Sequence, residues 1–216
     1  MGALYENTGL FLKRGQVLVK NIVFDMGNVL TGYTMAEYIC RHTNTDSERK
    51  IIKNEVCGSI EWIQMDRGIL TDEEAIASIC KRVPEVYHSL VEQFIREFRM
   101  EQESNPPMEN LVRKLCEAGY DLYLLSNTSW RFHKFSKNIL SISYMKGIWI
   151  SCEHGYLKPE KEAYFCFFEK FGLKPEECLF IDDSAANIEA AMRCGMQGIV
   201  YHGDVEELEN EISEKI

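Results

Sequence analysis

Residues 21–25 read N-I-V-F-D, a short apolar run that ends in a carboxylate. Apolar runs of this length are typical of a strand that is buried on both faces of a parallel sheet. Gly27 and Gly32 follow the run, and glycines at these positions predict a sharp turn after the strand. The first strand is therefore expected to place Asp25 at an edge of the sheet, directly before a turn.

Two further segments have the same form. Residues 121–125 (D-L-Y-L-L) lead into Ser126-Asn127, and residues 177–181 (E-C-L-F-I) lead into Asp182-Asp183. In open α/β sheets, ligands bind outside the carboxyl ends of the strands. Polar residues at three such ends are therefore the first indication of a functional site.

Helical patterns separate these strands from one another. After residue 105 the sequence predicts helices near 108–118, 130–140, 161–171 and 185–194, and further strands at 147–150 and 198–201. Strands that alternate with helices predict a parallel sheet flanked by helices. The predicted fold class is therefore α/β, with a Rossmann-like parallel core.

Residues 34–103 contain helical patterns and no convincing strand. Thr71 and Glu74 form a capping-box signature, and residues 87–100 carry apolar side chains at helical spacing. We interpret this block as an α-helical cap inserted into the α/β core. The predicted organisation is an N-terminal extension (1–20), a core (21–32 and 106–216) and the cap (33–105).

The composition excludes several classes of protein. The chain has 216 residues, 45% of them hydrophobic, and a formal net charge of -10, so we expect no binding to nucleic acid or to an anionic membrane surface. No apolar run is long enough for a membrane span, and none has the form of a signal peptide. The eight cysteines form no C-x-x-C pair, which favours reduced thiols in a cytoplasmic protein over a zinc site.

Four short motifs follow one another along the chain. They are F-D-M-G-N-V (24–29), L-S-N-T (125–128), Lys158-Pro159, and I-D-D-S (181–184) with Asn187 behind it. Each one alone is also compatible with a helix cap, a turn or a surface dipeptide. Together and in this order they resemble the four signature motifs of the haloacid dehalogenase superfamily, and the resemblance extends from the first strand to the last.

The resemblance implies a magnesium-dependent phosphohydrolase with a helical cap of the C1 type. Asp25 would be the nucleophile that carries the phosphoryl group, and Lys158 would neutralise charge beside it. The implied phosphate ligands are Ser126, Asn127 and Lys158, and the implied Mg²⁺ site comprises Asp25, the Gly27 carbonyl, Asp183 and, indirectly, Asp182. The residues themselves support a metal, because Asp25 and Asp183 at neighbouring strand ends repel each other unless a hard cation lies between them.

Position 27 departs from the pattern of the superfamily. Most of its phosphatases have a second aspartate there, which protonates the leaving group and then activates water, whereas this chain has Gly27. The motif D-M-G-N-V resembles a D-x-G-N-V branch that includes α-glucose-1-phosphate phosphatases. The motif D-D-S-x-x-N resembles that branch and the phosphatase domain of soluble epoxide hydrolases.

Three residues are candidates to replace the missing acid or base. Asn28 cannot act as an acid but could position water, and His133 is of the residue type that most often serves as a general acid or base. Asp66 lies with Arg67 in a predicted cap loop, a place where capped members of the superfamily contact their substrates. The alternative interpretations are a surface histidine for His133 and a simple helix-ending turn for Asp66 and Arg67.

We therefore predict a magnesium-dependent phosphohydrolase, monomeric or homodimeric, that acts on a small phosphorylated metabolite. A sugar phosphate is favoured, because the hemiacetal oxygen of a sugar 1-phosphate is a better leaving group than an ordinary alcohol. Two alternatives stay open. The loss of the acid at Gly27 is compatible with a weak or inactive phospho-ligand binder, and haloacid dehalogenases also lack that acid, although they do not need the Asp182-Asp183 pair.

Overall fold

A computed structural model describes residues 18–101 and 105–216. Most of the predicted N-terminal extension lies outside these residues. The core is a sheet of five parallel strands in the order β3-β2-β1-β4-β5. The strands are β1 (Asn21–Phe24), β2 (Asp121–Ser126), β3 (Gly147–Ile150), β4 (Cys178–Asp182) and β5 (Gln197–Val200). This sheet confirms the predicted Rossmann-like α/β core.

Strand β1 lies at the centre of the sheet, and its pairing sets the geometry of the site. Phe24 pairs with Leu124 on one side and with Ile181 on the other. The Asp25 N–H continues this pairing and donates to the Ile181 carbonyl at 2.8 Å. The residues that follow β1, β2 and β4 therefore emerge side by side at one edge of the sheet.

A helical cap follows β1. It contains α1 (Met35–Arg41), α2 (Asp46–Ile51), a π-helical turn (Ile52–Cys57), α3 (Ile60–Asp66), α4 (Asp72–Cys80) and α5 (His88–Glu97). Their apolar faces form a cluster that contains no residue of the sheet. The predicted capping box is present, since Thr71 Oγ1 accepts from the Glu74 N–H at 3.2 Å and Glu74 Oε2 accepts from the Thr71 N–H at 2.9 Å.

The remaining helices cover both faces of the sheet. They are α6 (Pro106–Glu117), α7 (Phe132–Phe135), α8 (Ser151–His154), α9 (Lys161–Phe171), α10 (Ala185–Arg193) and α11 (Val205–Lys215). Alternate residues of a strand point to opposite faces. Phe24 accordingly joins the apolar cluster with α6 and α11, while Val23 joins the cluster with α9 and α10. Among the described residues no helix is long and apolar enough to cross a membrane.

The sharp turn predicted after β1 is present, and its positive φ lies at Asn28 (56°), a residue type that tolerates left-handed backbone better than most. The helix predicted over 130–140 is wrong in extent, since α7 ends at Phe135 and two 3-10 turns follow it. Asn138 instead uses its side chain to donate to the Met100 carbonyl at 2.9 Å.

Helix α11 has no counterpart in the sequence prediction. Its start is capped by Asp204, whose side chain accepts hydrogen bonds from the Glu206 and Glu207 N–H groups. Its buried residues, Leu208 and Ile212, are four positions apart, as on one face of a helix. The sequence therefore contained a helix cap and helical apolar spacing here, but the spacing involves only two buried residues.

The turn that follows α3 fastens the cap to the core. The backbone carbonyl of Asp66 accepts from Ser151 Oγ at 2.6 Å, and the Arg67 guanidinium pairs with Glu160 and donates to the Gly155 carbonyl at 2.9 Å. Gly68 has a φ of 71°, and a Cβ placed there would lie 2.2 Å from the Cys152 carbonyl oxygen. We call these contacts of residues 66–68 the cap–core junction.

A Gly68→Ala substitution tests how closely this junction is packed. Gly172 is a matched control, because its φ is 65° and a Cβ there would meet no atom of the described residues within 4 Å beyond its chain neighbours. We expect Gly172→Ala to lower the free energy of unfolding by about 1–2 kcal/mol through backbone strain alone. Gly68→Ala should lose about 1–3 kcal/mol more, because the new methyl group overlaps the Cys152 carbonyl. Urea unfolding of both variants measures this, and equal losses would contradict a close contact.

Candidate active site

Lys158 lies between two buried carboxylates at the carboxyl edge of the sheet. Its Nζ atom is 2.6 Å from Asp25 Oδ1 and 2.6 Å from Asp182 Oδ2. The side chains of Lys158 and Asp182 are 1% and 0% exposed, and that of Asp25 is 12% exposed. Buried charges require partners of opposite sign, so this bridge stabilises an arrangement that two neighbouring aspartates could not keep alone.

Burial and ion pairing shift the pKa values of Asp25 and Lys158 in opposite directions. Desolvation raises the pKa of Asp25 to about 6, although the Lys158 ammonium group opposes the shift. Desolvation likewise disfavours the charge on Lys158, but the carboxylates of Asp25 and Asp182 outweigh it and raise the pKa of the lysine. Lys158 is therefore a permanently charged partner, whereas Asp25 is a carboxylate held at higher free energy than one in water.

Both carboxylate oxygens of Asp182 already accept hydrogen bonds from neighbouring residues. Its Oδ1 atom accepts from the Ser184 N–H at 2.8 Å and from Asn187 Nδ2 at 3.0 Å. Its Oδ2 atom accepts from Asn187 Nδ2 at 3.0 Å and from Lys158 Nζ at 2.6 Å. These three donor groups make four contacts, which match the acceptor capacity of a carboxylate. Asp182 is therefore placed to orient Lys158 and Asn187 rather than to bind a metal ion directly.

Asp183 completes a cluster of three carboxylates. One oxygen each of Asp25, Asp182 and Asp183 lies within 4.8 Å of the other two. Asp183 is exposed, and its Oδ2 atom accepts from Asn28 Nδ2 at 2.6 Å. Clustered carboxylate oxygens are the donors that Mg²⁺ prefers, so the residues present fit the metal that the sequence implied.

The amide side chain of Asn127 positions Lys158. Asn127 Nδ2 donates to the Lys158 carbonyl at 2.9 Å, and Asn127 Oδ1 accepts from the Lys158 N–H at 2.8 Å. The two bonds fix the loop that carries the lysine to the end of β2. The sequence singled out Asn127 for its backbone N–H, and it gave no signal for this second contact because the two residues are 31 positions apart.

A pocket of about 150 Å³ opens above Asp25. Its core residues include Asp25, Gly27, Ser126, Asn127 and Lys158, which the sequence predicted to lie together. Its other walls include Asp66, Met35, Trp62, Phe98 and Arg99 from the cap, together with Arg131 and Asn187 from the core. Met35, Phe98 and Arg99 were not predicted, because only the packing of the cap over the sheet brings them to this place.

Of the four candidate substrate or cap residues, Asp66 lines this pocket and the other three do not; the metal-site residues Asp182 and Asp183 are not part of its lining either. Asn28 contacts Asp183 from the outer side. Arg67 is held by Glu160 at the cap–core junction. The His133 side chain is 52% exposed and lies 3.3 Å from Glu153. A larger groove of about 550 Å³ runs beside Asn28, but none of the three clustered aspartates lines it.

Comparison with known proteins gives related sequences. The sequence profile of the haloacid dehalogenase-like hydrolases matches residues 19–195. Flavin mononucleotide hydrolase 1 of Arabidopsis thaliana is 21% identical over 140 residues, which cover 65% of this chain and 56% of that protein. The D-ribitol-5-phosphate phosphatase of Bacteroides thetaiotaomicron is 25% identical over 202 residues, which cover 83% of this chain and 90% of that protein.

Solved structures give the same fold. A HAD family enzyme of Bacteroides thetaiotaomicron, in complex with magnesium and inorganic phosphate, superposes with a TM-score of 0.67 at 23% sequence identity. The match covers 88% of this chain and 98% of that chain. At this identity the likeness establishes a shared fold.

Replacing Lys158 by methionine tests the charge balance at the site. The variant leaves two buried carboxylates without their cation, so we expect the free energy of unfolding to fall by about 3–5 kcal/mol at neutral pH. Lys146→Met is the matched control, because Lys146 pairs with Asp121 at the surface, where the side chains are 58% and 46% exposed. That control should lose less than about 1 kcal/mol. Denaturant unfolding measures the loss of stability of both variants. Losses of equal size would contradict a stabilising role of the bridge between Lys158 and the two aspartates.

Proposed function

The chain belongs to the haloacid dehalogenase-like hydrolases, and on that premise we propose that it is a magnesium-dependent phosphatase that forms an aspartyl phosphate on Asp25. The observation that carries the proposal is the bridge of Lys158 between Asp25 and Asp182 at the floor of a pocket. It holds a buried nucleophilic carboxylate beside a fixed positive charge. Phosphoryl transfer depends mainly on such positioning and charge neutralisation.

The metal would be held by Asp25, Asp183 and the Gly27 carbonyl. Asp25 Oδ1 is engaged by Lys158, which leaves Oδ2 as the oxygen for other partners, and Asn28 orients Asp183. When bound, Mg²⁺ supplies neutralisation of the charge on the transferring phosphoryl group. Asp182 contributes indirectly, since its acceptors are already filled by Lys158, Ser184 and Asn187.

In the first step a carboxylate oxygen of Asp25 attacks phosphorus, and the bond from phosphorus to the substrate oxygen breaks. Lys158 neutralises charge on both the nucleophile and the phosphoryl group. Ser126 and Asn127, which line the same pocket, orient the phosphate through a hydroxyl and a backbone N–H. Water then hydrolyses the aspartyl phosphate and restores Asp25.

We assign a small phosphate monoester of a sugar or sugar alcohol as the substrate class. A pocket of about 150 Å³ admits a small molecule. Its apolar wall of Met35, Trp62 and Phe98 suits the C–H face of a sugar ring or polyol chain. The relative that acts on D-ribitol-5-phosphate supports this class. Residues 33–105 would act as the cap that excludes water during transfer, over a core of 21–32 and 106–216.

Asp25→Asn tests the nucleophile. We expect the variant to lose phosphate release from p-nitrophenyl phosphate and from a panel of sugar and polyol phosphates by at least about 10³-fold, because an amide cannot attack phosphorus. Asp121→Asn is the matched control, since Asp121 lies at the opposite end of β2 and pairs with Lys146 at the surface. If the wild-type protein binds Mg²⁺ but releases phosphate from no compound, the chain is a phospho-ligand binder instead.

Asp183→Asn tests the metal site separately. We expect EDTA to abolish activity of the wild-type protein and added Mg²⁺ to restore it. The variant should need at least about tenfold more Mg²⁺ for half-maximal activity, because it loses a charged ligand. Isothermal titration with Mg²⁺ provides a readout that does not depend on turnover. Unchanged Mg²⁺ affinity would remove Asp183 from the site, and activity that survives EDTA would contradict metal dependence.

A further inference from the structure

Gly27 leaves the nucleophile without an acid or base on its own loop. Among the described residues beyond its chain neighbours, a Cβ at this position would meet only Asp25 Oδ2 within 4 Å, at 3.7 Å, which is ordinary van der Waals contact. Glycine here therefore does not reflect crowding around the Cβ position. The proton that the leaving oxygen needs must come from another group that reaches the same pocket.

Among the residues that line the pocket, one can supply the proton for the leaving oxygen. Within the part of the chain that the structure describes, Asp25 and Asp66 are the carboxylic acids that line it, and no histidine, cysteine or tyrosine does so. Lys158 is committed to Asp25 and Asp182. Arginine does not release a proton at any relevant pH. Asp66 is thus the one lining residue with both the chemistry of a general acid and freedom from the nucleophile.

We propose that Asp66, from the end of α3 in the cap, performs the proton transfers that Gly27 cannot perform. This inference rests on the proposed phosphatase function. Asp66 would protonate the leaving oxygen when the phosphate ester is cleaved. As a carboxylate it would then accept a proton from the water that hydrolyses the aspartyl phosphate.

The backbone of Asp66 is tied to the strand end that binds phosphate. Ser151 Oγ donates to the Asp66 carbonyl at 2.6 Å, and the same oxygen accepts from the Thr128 N–H at 2.9 Å. Thr128 follows Ser126-Asn127 and lines the pocket. The close contact of Gly68 with Cys152 fixes the other side of the turn. Asp66 therefore has a defined position relative to the phosphate-binding residues, as an acid–base catalyst requires.

The surroundings of Asp66 suit a group that must both give and take a proton. Desolvation raises the pKa of Asp66 to about 7, and Arg131 opposes the shift. Arg131 donates instead to Asp72 Oδ1 at 2.7 Å, and none of the described residues donates a hydrogen bond to the Asp66 carboxylate. A general acid works best when its pKa lies near the working pH.

The other titratable groups near Asp66 do not compete for this role. Cys57, from the π-helical turn, and Cys152, from α8, both interact with it electrostatically. Burial raises the pKa of each thiol to about 12, so both are neutral at physiological pH. The remaining charged residues of the lining are Asp25, Lys158, Arg99 and Arg131.

The two steps balance. In the first, the Asp25–phosphorus bond forms, the ester bond breaks, and its electron pair stays on the substrate oxygen, which takes the proton of Asp66. In the second, the oxygen of water attacks phosphorus and gives its proton to Asp66, while the Asp25–phosphorus bond breaks and phosphate leaves. Both carboxyl groups return to their starting states, and no further reactant is needed.

Asp66→Asn separates this role from a structural one through the leaving group. An alkyl phosphate such as a polyol phosphate needs a proton on its poor leaving group, whereas p-nitrophenolate leaves without one. We expect the variant to cleave alkyl phosphates about 10²- to 10⁴-fold more slowly. With p-nitrophenyl phosphate it should still release a burst of one p-nitrophenolate per molecule and then turn over slowly. Asp46→Asn is the control, because Asp46 is a cap carboxylate with an 89% exposed side chain.

The pH profile of the wild-type protein gives a second readout that needs no variant. The acid form of Asp66 is required for ester cleavage, so single-turnover cleavage of an alkyl phosphate should fall as the pH rises above about 7. Single-turnover cleavage of p-nitrophenyl phosphate should lack this limb. The same limb should be missing for alkyl phosphates in Asp66→Asn.

The outcomes distinguish this inference from the proposed function. Equal losses of single-turnover ester cleavage on both substrates, or no loss on either, in a protein that Asp25→Asn inactivates would overturn the role of Asp66 and leave the phosphatase intact. A wild-type protein without any phosphate release would overturn both. A selective loss on alkyl phosphates, with the burst retained and Asp46→Asn unaffected, supports Asp66 as the acid and base.

Discussion

The salt bridge of Lys158 with Asp25 and Asp182 is the interaction on which the rest of the site depends. In-register pairing of β1 and β4 forces their terminal carboxylates to one edge of the sheet, and burial makes their repulsion costly. Lys158 offsets part of this charge. With Asp183 included, three carboxylates face one ammonium group, which leaves two negative charges uncompensated. One magnesium ion carries the charge that balances them.

Three asparagine side chains hold these charges in place without adding to them. Asn127 binds both backbone groups of Lys158, Asn187 contacts both oxygens of Asp182, and Asn28 contacts Asp183. An amide offers donors and an acceptor but no net charge, so it can orient an ion without changing the electrostatic balance. A cluster built in this way keeps its geometry when a charged substrate enters, which is the form of preorganisation that charge-stabilising sites require.

The sequence predicted the floor of the site well because that floor depends on local patterns. An apolar run followed by a carboxylate predicts a strand end, and parallel pairing then brings several strand ends together. It could not predict the partners of those residues, since the contact of Asn127 with Lys158 depends on tertiary packing. The error near residue 138 has the same origin, because the Asn138 side chain donates to the Met100 carbonyl, which is 38 positions away in the sequence. The turn after β1 was predicted from its glycines, and the structure places the positive φ of that turn at Asn28, since asparagine also tolerates this conformation.

A core loop with Gly27 and a cap with Asp66 would divide the chemistry between two parts of the molecule. The core alone could bind phosphate and hold the nucleophile, but the leaving group would receive its proton only when the cap lies over the pocket. Such an arrangement ties turnover to closure, because an open site contains a nucleophile without its acid. A phosphate compound too large for the cap to close over it would then be bound and cleaved slowly, even with its phosphoryl group seated correctly. Discrimination among substrates would therefore be exerted through proton transfer as well as through contacts with the pocket wall.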